Sequence, residues 1–185
     1  MYKRQEEYRA RPVQRAVVEA VRNIDGPTLV VIEAETGVGK TEAGLAAAEI
    51  LAARSGAQGV FFAAPTMATA NGLLERTMEW ASHNTADLVR SMYLAHSKNA
   101  LSEPYRQLKF SSIGPDSVDG GRVIASQWMS GRRLGLLSNF VVGTVDQVLM
   151  MALQQRFHML RHVGLAGKVI IFDEVHAFDT YTSDY

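Results

Sequence analysis

The sequence predicts an α/β fold of three layers, a mostly parallel sheet between helices, and two observations carry that prediction. Short apolar strands alternate with amphipathic helical segments along nearly the whole chain, a rhythm that builds parallel sheets. A glycine-rich turn ending in Lys40-Thr41 and an acidic pair, Asp173-Glu174, each follow an apolar run at a strand end. The C-terminal ends of parallel strands are where such sheets bind ligands.

The elements follow in order. Val13, Ala16, Val17, Ala20, Val21 and Ile24 share one helical face, Pro12 suits a first turn, and Asp25-Gly26-Pro27 stops the helix. A first strand is predicted over 28–33. A helix follows over 41–54, then a strand over 59–64, a helix over 67–81 and a strand over 88–94. Residues 95–121 carry Ser, Gly and Pro without a period and read as an insertion over the sheet edge. A strand over 140–143, a long helix over 144–163 and a strand over 168–172 complete the pattern. No internal repeat or long linker interrupts it, so 1–185 reads as one domain.

Composition narrows the function classes. With 185 residues, 47% hydrophobic, the chain can bury a core unaided. There is no cysteine, which excludes disulfides, thiolate metal sites and cysteine nucleophiles. The charged N-terminus is unlike a signal peptide, and no apolar run approaches the ~20 residues of a membrane span. These features fit a cytoplasmic protein without a membrane partner. Net charge is zero but uneven. Across 120–168, Arg122, Arg132, Arg133, Arg156, Arg161 and Lys168 face Asp146 alone, whereas 169–185 holds Asp173, Glu174, Asp179 and Asp184 without a base. That contrast is equally compatible with a phosphate-contacting face beside a magnesium site and with a solvated helix next to an acidic tail.

Ala34-Glu35-Thr36-Gly37-Val38-Gly39-Lys40-Thr41 fits the phosphate-loop pattern with alanine at the first glycine position. Glycines let successive N–H groups of Thr36, Gly37, Val38 and Gly39 point at one anion, and the following helix adds its positive end. Lys40 is assigned to the β- and γ-phosphates of ATP and Thr41 to Mg2+. About 130 residues later, Lys168-Val169-Ile170-Ile171-Phe172 delivers Asp173 and Glu174. Asp173 is assigned to magnesium and Glu174 to polarising the attacking water as general base, which makes Lys40, Asp173 and Glu174 the candidate catalytic set. Two further features are set aside. His158 and His162 have helical metal spacing but lack the acidic residue of a metalloprotease motif. Trp80, Met67, Met78, Met92, Met150 and Met151 read as packing, and Trp80 and Trp128 as base-stacking residues only secondarily.

With these residues in place the sequence resembles helicase superfamily two, whose second motif reads DExH or DEAD. Arg11-Pro12-Val13-Gln14 is similar to the upstream glutamine motif, so the resemblance implies that Gln14 reads adenine. Ala64-Pro65-Thr66-Met67-Ala68-Thr69-Ala70-Asn71 resembles the motif that grips a single-strand backbone. Together with Val142-Gly143-Thr144-Val145-Asp146-Gln147 and Asp173-Glu174-Val175-His176-Ala177-Phe178-Asp179, these stretches resemble the effector helicase-nucleases of type I CRISPR systems. The resemblance covers nearly the whole chain and is weakest over 97–121.

The resemblance implies a RecA-like domain that binds Mg-ATP and single-stranded DNA and drives 3′-to-5′ translocation. Thr66, Asn71 and Thr144 would lie near the DNA backbone, and His176 would link the nucleotide and DNA sides. Thr66 and Thr144 also suit helix capping after a strand, and the two roles are compatible. The implied partners are a guide-RNA-bound surveillance complex and an HD nuclease domain in cis or trans; no His-Asp dipeptide occurs in this chain. The family also implies a second RecA-like domain supplying transition-state arginines, and a strand following Tyr185 that lies between the two nucleotide-motif strands. Without them the chain would bind nucleotide and turn it over poorly. Two rivals remain: another superfamily-two helicase acting on RNA or in repair, and a nucleotide-binding module without turnover.

Overall fold

The computed structural model describes residues 10–83, 90–95, 123–124, 134–153 and 158–178. Helix α1 spans Pro12–Val21 and α2 Lys40–Ser55. Strand β1 is Gly59–Ala64, α3 Met67–His83, β2 Arg90–Ala95 and β3 Val123–Ile124. A 3₁₀ turn at Leu134–Leu137 leads into β4, Phe140–Thr144; α4 is Val145–Leu149, α5 His158–Ala166 and β5 Lys168–Phe172. All strand pairs are parallel, in the order β3-β2-β4-β1-β5.

Every residue of β1 and β4 is buried. A strand buried on both faces needs a layer on each side, which is the predicted three-layer arrangement. Phe61, Phe62, Leu74, Met92, Leu94, Val141 and Val142 form the centre of the main core, with Trp80, Met78 and Met151 packed against it. The packing reading therefore holds for these three and for Met92. Met67 is exposed instead, and Trp128 lies outside the described residues.

Asn139 stitches the N-terminal ends of three strands together. Its Nδ2 donates to Gln58 O at 3.0 Å, while its Oδ1 accepts the Ser91 N–H at 3.2 Å and the Ser91 hydroxyl at 3.0 Å. The Asn139 carbonyl accepts Val60 N–H at 2.8 Å. Gly59 lies so close that a Cβ there would sit 2.1 Å from that carbonyl oxygen.

Lys168, the first residue of β5, is largely withdrawn from solvent and donates to Leu136 O at 2.9 Å and to Gly164 O. Burial pushes its amine down from the ordinary 10.5 to about 8. A base with a depressed folded pKa makes the folded state less favourable below that pKa. The penalty shrinks as pH rises from about 8 toward the unfolded value. Relative to Lys168→Met, the wild type is therefore expected to gain melting temperature between pH 7.5 and 9.5. A difference in melting temperature that stays constant with pH would contradict this.

Two sequence expectations are corrected. Residues 28–33 form no strand; among the described residues no strand lies between this segment and the outer edge of β5. The segment keeps a strand's alternation nonetheless. Val30 and Ile32 pack on the α1–α2 cluster, while Leu29 is 88% and Val31 80% exposed. A ladder needs a partner on at least one side, and here none is in register. The long helix over 144–163 is instead α4, ending at Leu149, followed by turns through Leu153 and a separate α5. A short strand, β3, lies just after the stretch read as an insertion; residues 96–121 lie outside the described residues.

Candidate nucleotide and nucleic-acid site

Residues 36–39 turn the chain into α2. Gly37 and Gly39 have φ of 82° and 94°, in the left-handed region where glycine carries no Cβ penalty. Gly39 is the N-cap of α2 and makes no side-chain cap hydrogen bond. A glycine there cannot cap the first amides of α2 with a side chain of its own, which suits an anion site. Lys40 Nζ reaches back over the loop to Ala34 O at 2.6 Å, so its amine spans the turn that its own sequence motif defines.

Helix α1 clasps this loop. Gln14 Oε1 accepts the Arg11 N–H at 2.8 Å, capping α1, and its amide nitrogen lies where a Cβ on Gly39 would come within 2.8 Å. Arg11 Nη1 donates to Gly37 O. The sequence singles out Gln14 but gives Arg11 no role, although Arg11 is the residue that holds the loop carbonyl.

The acidic pair approaches from the other end of the chain. Asp173 N–H donates to Ala63 O at 3.0 Å, continuing the β5–β1 register past Ala63↔Phe172. Burial, followed by the neighbouring Glu174 charge, raises the Asp173 carboxyl above the usual carboxylate range. The Glu174 N–H, at 3.1 Å from Oδ1, and the charges of Arg76 and Lys40 pull the other way. A Cβ on Gly44 of α2 would lie 3.6 Å from Ile171 of β5, so the helix begun by Lys40 packs beside the strand that delivers Asp173. Glu174 is exposed and is the one non-glycine residue among those described with positive φ, 49°. Such backbone strain collects at functional positions, where neighbouring structure holds it. His176 follows in an exposed 3₁₀ turn, Val175–Ala177.

A hydroxyl on the first turn of α2 and a carboxylate at the end of β5 are hard oxygen donors suited to magnesium. That ion binds through one or two protein ligands plus phosphates rather than in a protein cage. Among the described residues no cluster of three or more His, Cys, Asp or Glu could hold a metal. His162 is exposed, and the side chain of His158 lies outside the described set.

The proposed nucleic-acid residues occupy the same sheet edge. Ala64 pairs with Thr144 in the β1–β4 register, so the loops after both strands lie side by side. Thr66 caps α3: its Oγ1 accepts Thr69 N–H at 3.2 Å and lies 2.9 Å from the Thr69 hydroxyl. Thr144 occupies the N-cap position of α4 without a side-chain cap bond and is 7% exposed. Asn71 is half-buried on α3. Among the described residues no helix is long and apolar enough to cross a membrane.

Arg76, on α3, was not apparent from sequence. Its Nη1 lies 3.4 Å from Thr41 Oγ1 and its Nη2 pairs with Glu42. Its partners lie 34 and 35 residues away in sequence, so no local pattern marks it.

The comparisons agree with this geometry. The family model for DEAD/DEAH box helicases matches residues 11–184. The CRISPR-associated nuclease/helicase Cas3 of Streptococcus thermophilus is 40% identical over 189 residues, covering 100% of this chain and 20% of that protein. The crystal structure of T. fusca Cas3-ATP superposes with a TM-score of 0.77 at 36% identity, over 94% of this chain and 18% of that one. A chain of a CRISPR RNA-guided surveillance complex, pre-nicking, superposes with a TM-score of 0.59 at 30% identity, over 94% of this chain and 15% of that one. The chain thus spans about a fifth of the length of the curated relative it matches. It belongs to the DEAD/DEAH box helicase family and is a homologue of the Cas3 helicase-nucleases.

Proposed function

We propose that residues 1–185 form the nucleotide-binding motor domain of an ATP-dependent DNA translocase that serves type I CRISPR interference. The observation that carries this reading is the packing of α2, the helix begun by Lys40 and Thr41, against β5, the strand that delivers Asp173 and Glu174. The phosphate loop and the acidic pair thereby share one side of the sheet, as ATP hydrolysis requires.

In this reading the amides of residues 36–41 and Lys40 bind the β- and γ-phosphates, and Gln14 contacts adenine from its place beside Gly39. Thr41 and Asp173 would hold magnesium, which when bound neutralises phosphate charge. The Asp173 carboxyl must be ionised for this, so its raised pKa makes magnesium-dependent nucleotide binding fade early on acidification. Glu174 takes a proton from the attacking water as the γ-phosphoryl group departs. Thr66 and Asn71, on the neighbouring loop and on α3, contact one DNA strand through its phosphates, which carries no sequence preference and so suits a motor. Thr144, paired with Ala64 at the end of the β1–β4 register, stands next to the loop that carries Thr66 and is assigned to the same strand. His176, next to Glu174, links the two sides. The surveillance complex, the HD nuclease and a second RecA-like domain supplying arginines are the proposed partners in the intact gene product.

Lys40→Ala tests the phosphate-binding assignment. It is expected to weaken Mg-ATP affinity by roughly ten-fold or more, the loss of a charge-assisted phosphate contact, with little change in melting temperature. Unchanged affinity in a folded Lys40→Ala protein would remove the phosphate loop from the account.

A further inference from the structure

Arg76 is the feature that this reading leaves without a task. Its guanidinium projects from α3, the helix that follows Thr66 and carries Asn71, toward the first turn of α2. It contacts the hydroxyl of Thr41 and the carboxylate of Glu42 at once. Both side chains of the pair are more than a third exposed, at 50% and 37%. An exposed ion pair of this kind contributes little to stability, so the fold gains little from holding an arginine there. What it does hold is a fixed positive charge against the hydroxyl assigned to magnesium.

We propose that Arg76 is a positioning residue that competes with magnesium at Thr41, so that α3 registers whether the metal-nucleotide site is filled. The inference rests on the assignment of Thr41 and Asp173 to magnesium. A hydroxyl oxygen that coordinates a divalent cation presents its remaining surface poorly to a guanidinium donor, and two cations at that separation repel. Filling the site therefore drives Arg76 off Thr41 and leaves Glu42 as its partner. Because Arg76 lies one and a half turns beyond Asn71, this exchange shifts the balance of forces on the helix proposed to touch DNA. Arginine suits the task because its planar fork reaches Thr41 and Glu42 together, which a lysine's single ammonium does less well.

The test uses the intact gene product and follows binding, not hydrolysis. A fluorescent ATP analogue at fixed concentration is titrated with magnesium chloride for the wild type, Arg76→Met and Arg76→Lys, each with a melting curve. Arg76→Met, of similar length without charge, is expected to lower the magnesium midpoint on the order of five-fold. Arg76→Lys is expected to fall between it and the wild type, and both variants to melt near the wild type. An unchanged midpoint in folded Arg76→Met, beside a normal magnesium-dependent wild-type curve, overturns the role of Arg76 alone. A lowered melting temperature with an unchanged midpoint overturns it equally, since it marks a structural contact only. A wild type whose nucleotide binding ignores magnesium overturns the metal assignment itself, and this proposal with it.

Discussion

Glu174→Gln in the intact gene product is expected to retain Mg-ATP binding and to lose DNA-stimulated hydrolysis by about 10²- to 10⁴-fold, the range attributed to a positioned general base. The substitution keeps the side chain's size and removes its ability to take a proton. Glu174 is exposed at the end of β5, with its backbone in the left-handed region, so nothing in the core depends on its charge. Replacing it also removes one charge that raises the neighbouring Asp173 carboxyl. Magnesium-dependent binding should therefore persist to slightly lower pH in the variant than in the wild type. Binding and hydrolysis are thus predicted to separate in one protein. A variant that hydrolyses ATP at the wild-type rate would remove Glu174 from the chemistry, and a variant that no longer binds would show that its role is in the ground state.

Gly59→Ala is expected to cause the largest loss of stability among single changes in the sheet. The added Cβ would fall 2.1 Å from the Asn139 carbonyl oxygen and 2.9 Å from its carbonyl carbon. Backbone, not a flexible side-chain end, is what it meets, and that backbone is held in place. The same carbonyl accepts Val60 N–H, and the Asn139 side chain is tied to Gln58 and Ser91. Relief must come from parting β1 and β4 at their N-terminal ends, where both strands are fully buried. A cost of about 3 kcal/mol or more follows, as for severe overpacking in a core. Gly72→Ala is the control: nothing lies within 4 Å of its Cβ position, and it sits inside α3. It is expected to stabilise by about 0.5–1 kcal/mol through helix propensity. Equal melting temperatures for the two variants would contradict the packing described at the base of the sheet.

The sequence made most of the parallel sheet legible because its central strands are continuous apolar runs bounded by Gly59, Pro65 and Gly143. The two strings assigned to nucleotide could be picked out without the fold because each is local in sequence, with residue types that phosphate and magnesium chemistry would call for. What escaped was set by contacts across distance. The segment 28–33 reads as a strand and alternates in burial like one, but pairing depends on a neighbour that its own residues do not specify. The end of α4 at Leu149 carries no glycine or proline to announce it. The side chain of Arg161, on α5, donates to the Gln147 side chain at 3.0 Å and lies 3.4 Å from its carbonyl, a tie between separate helices that a single-helix reading does not contain. Arg11 and Arg76 were invisible for the same reason, since each acts on a backbone or side chain more than 25 residues away. Thr66 carried two compatible roles in sequence, and its geometry displays the capping one.

We propose that this domain, within the intact gene product, turns over ATP in response to a DNA strand. The most direct measurement compares ATP hydrolysis by the intact gene product with no nucleic acid, with single-stranded DNA and with RNA of the same sequence. The account predicts low basal turnover, strong stimulation by DNA, weaker stimulation by RNA, and loss of all three in Glu174→Gln. Hydrolysis that RNA stimulates as well as DNA, or that no nucleic acid changes, would contradict it.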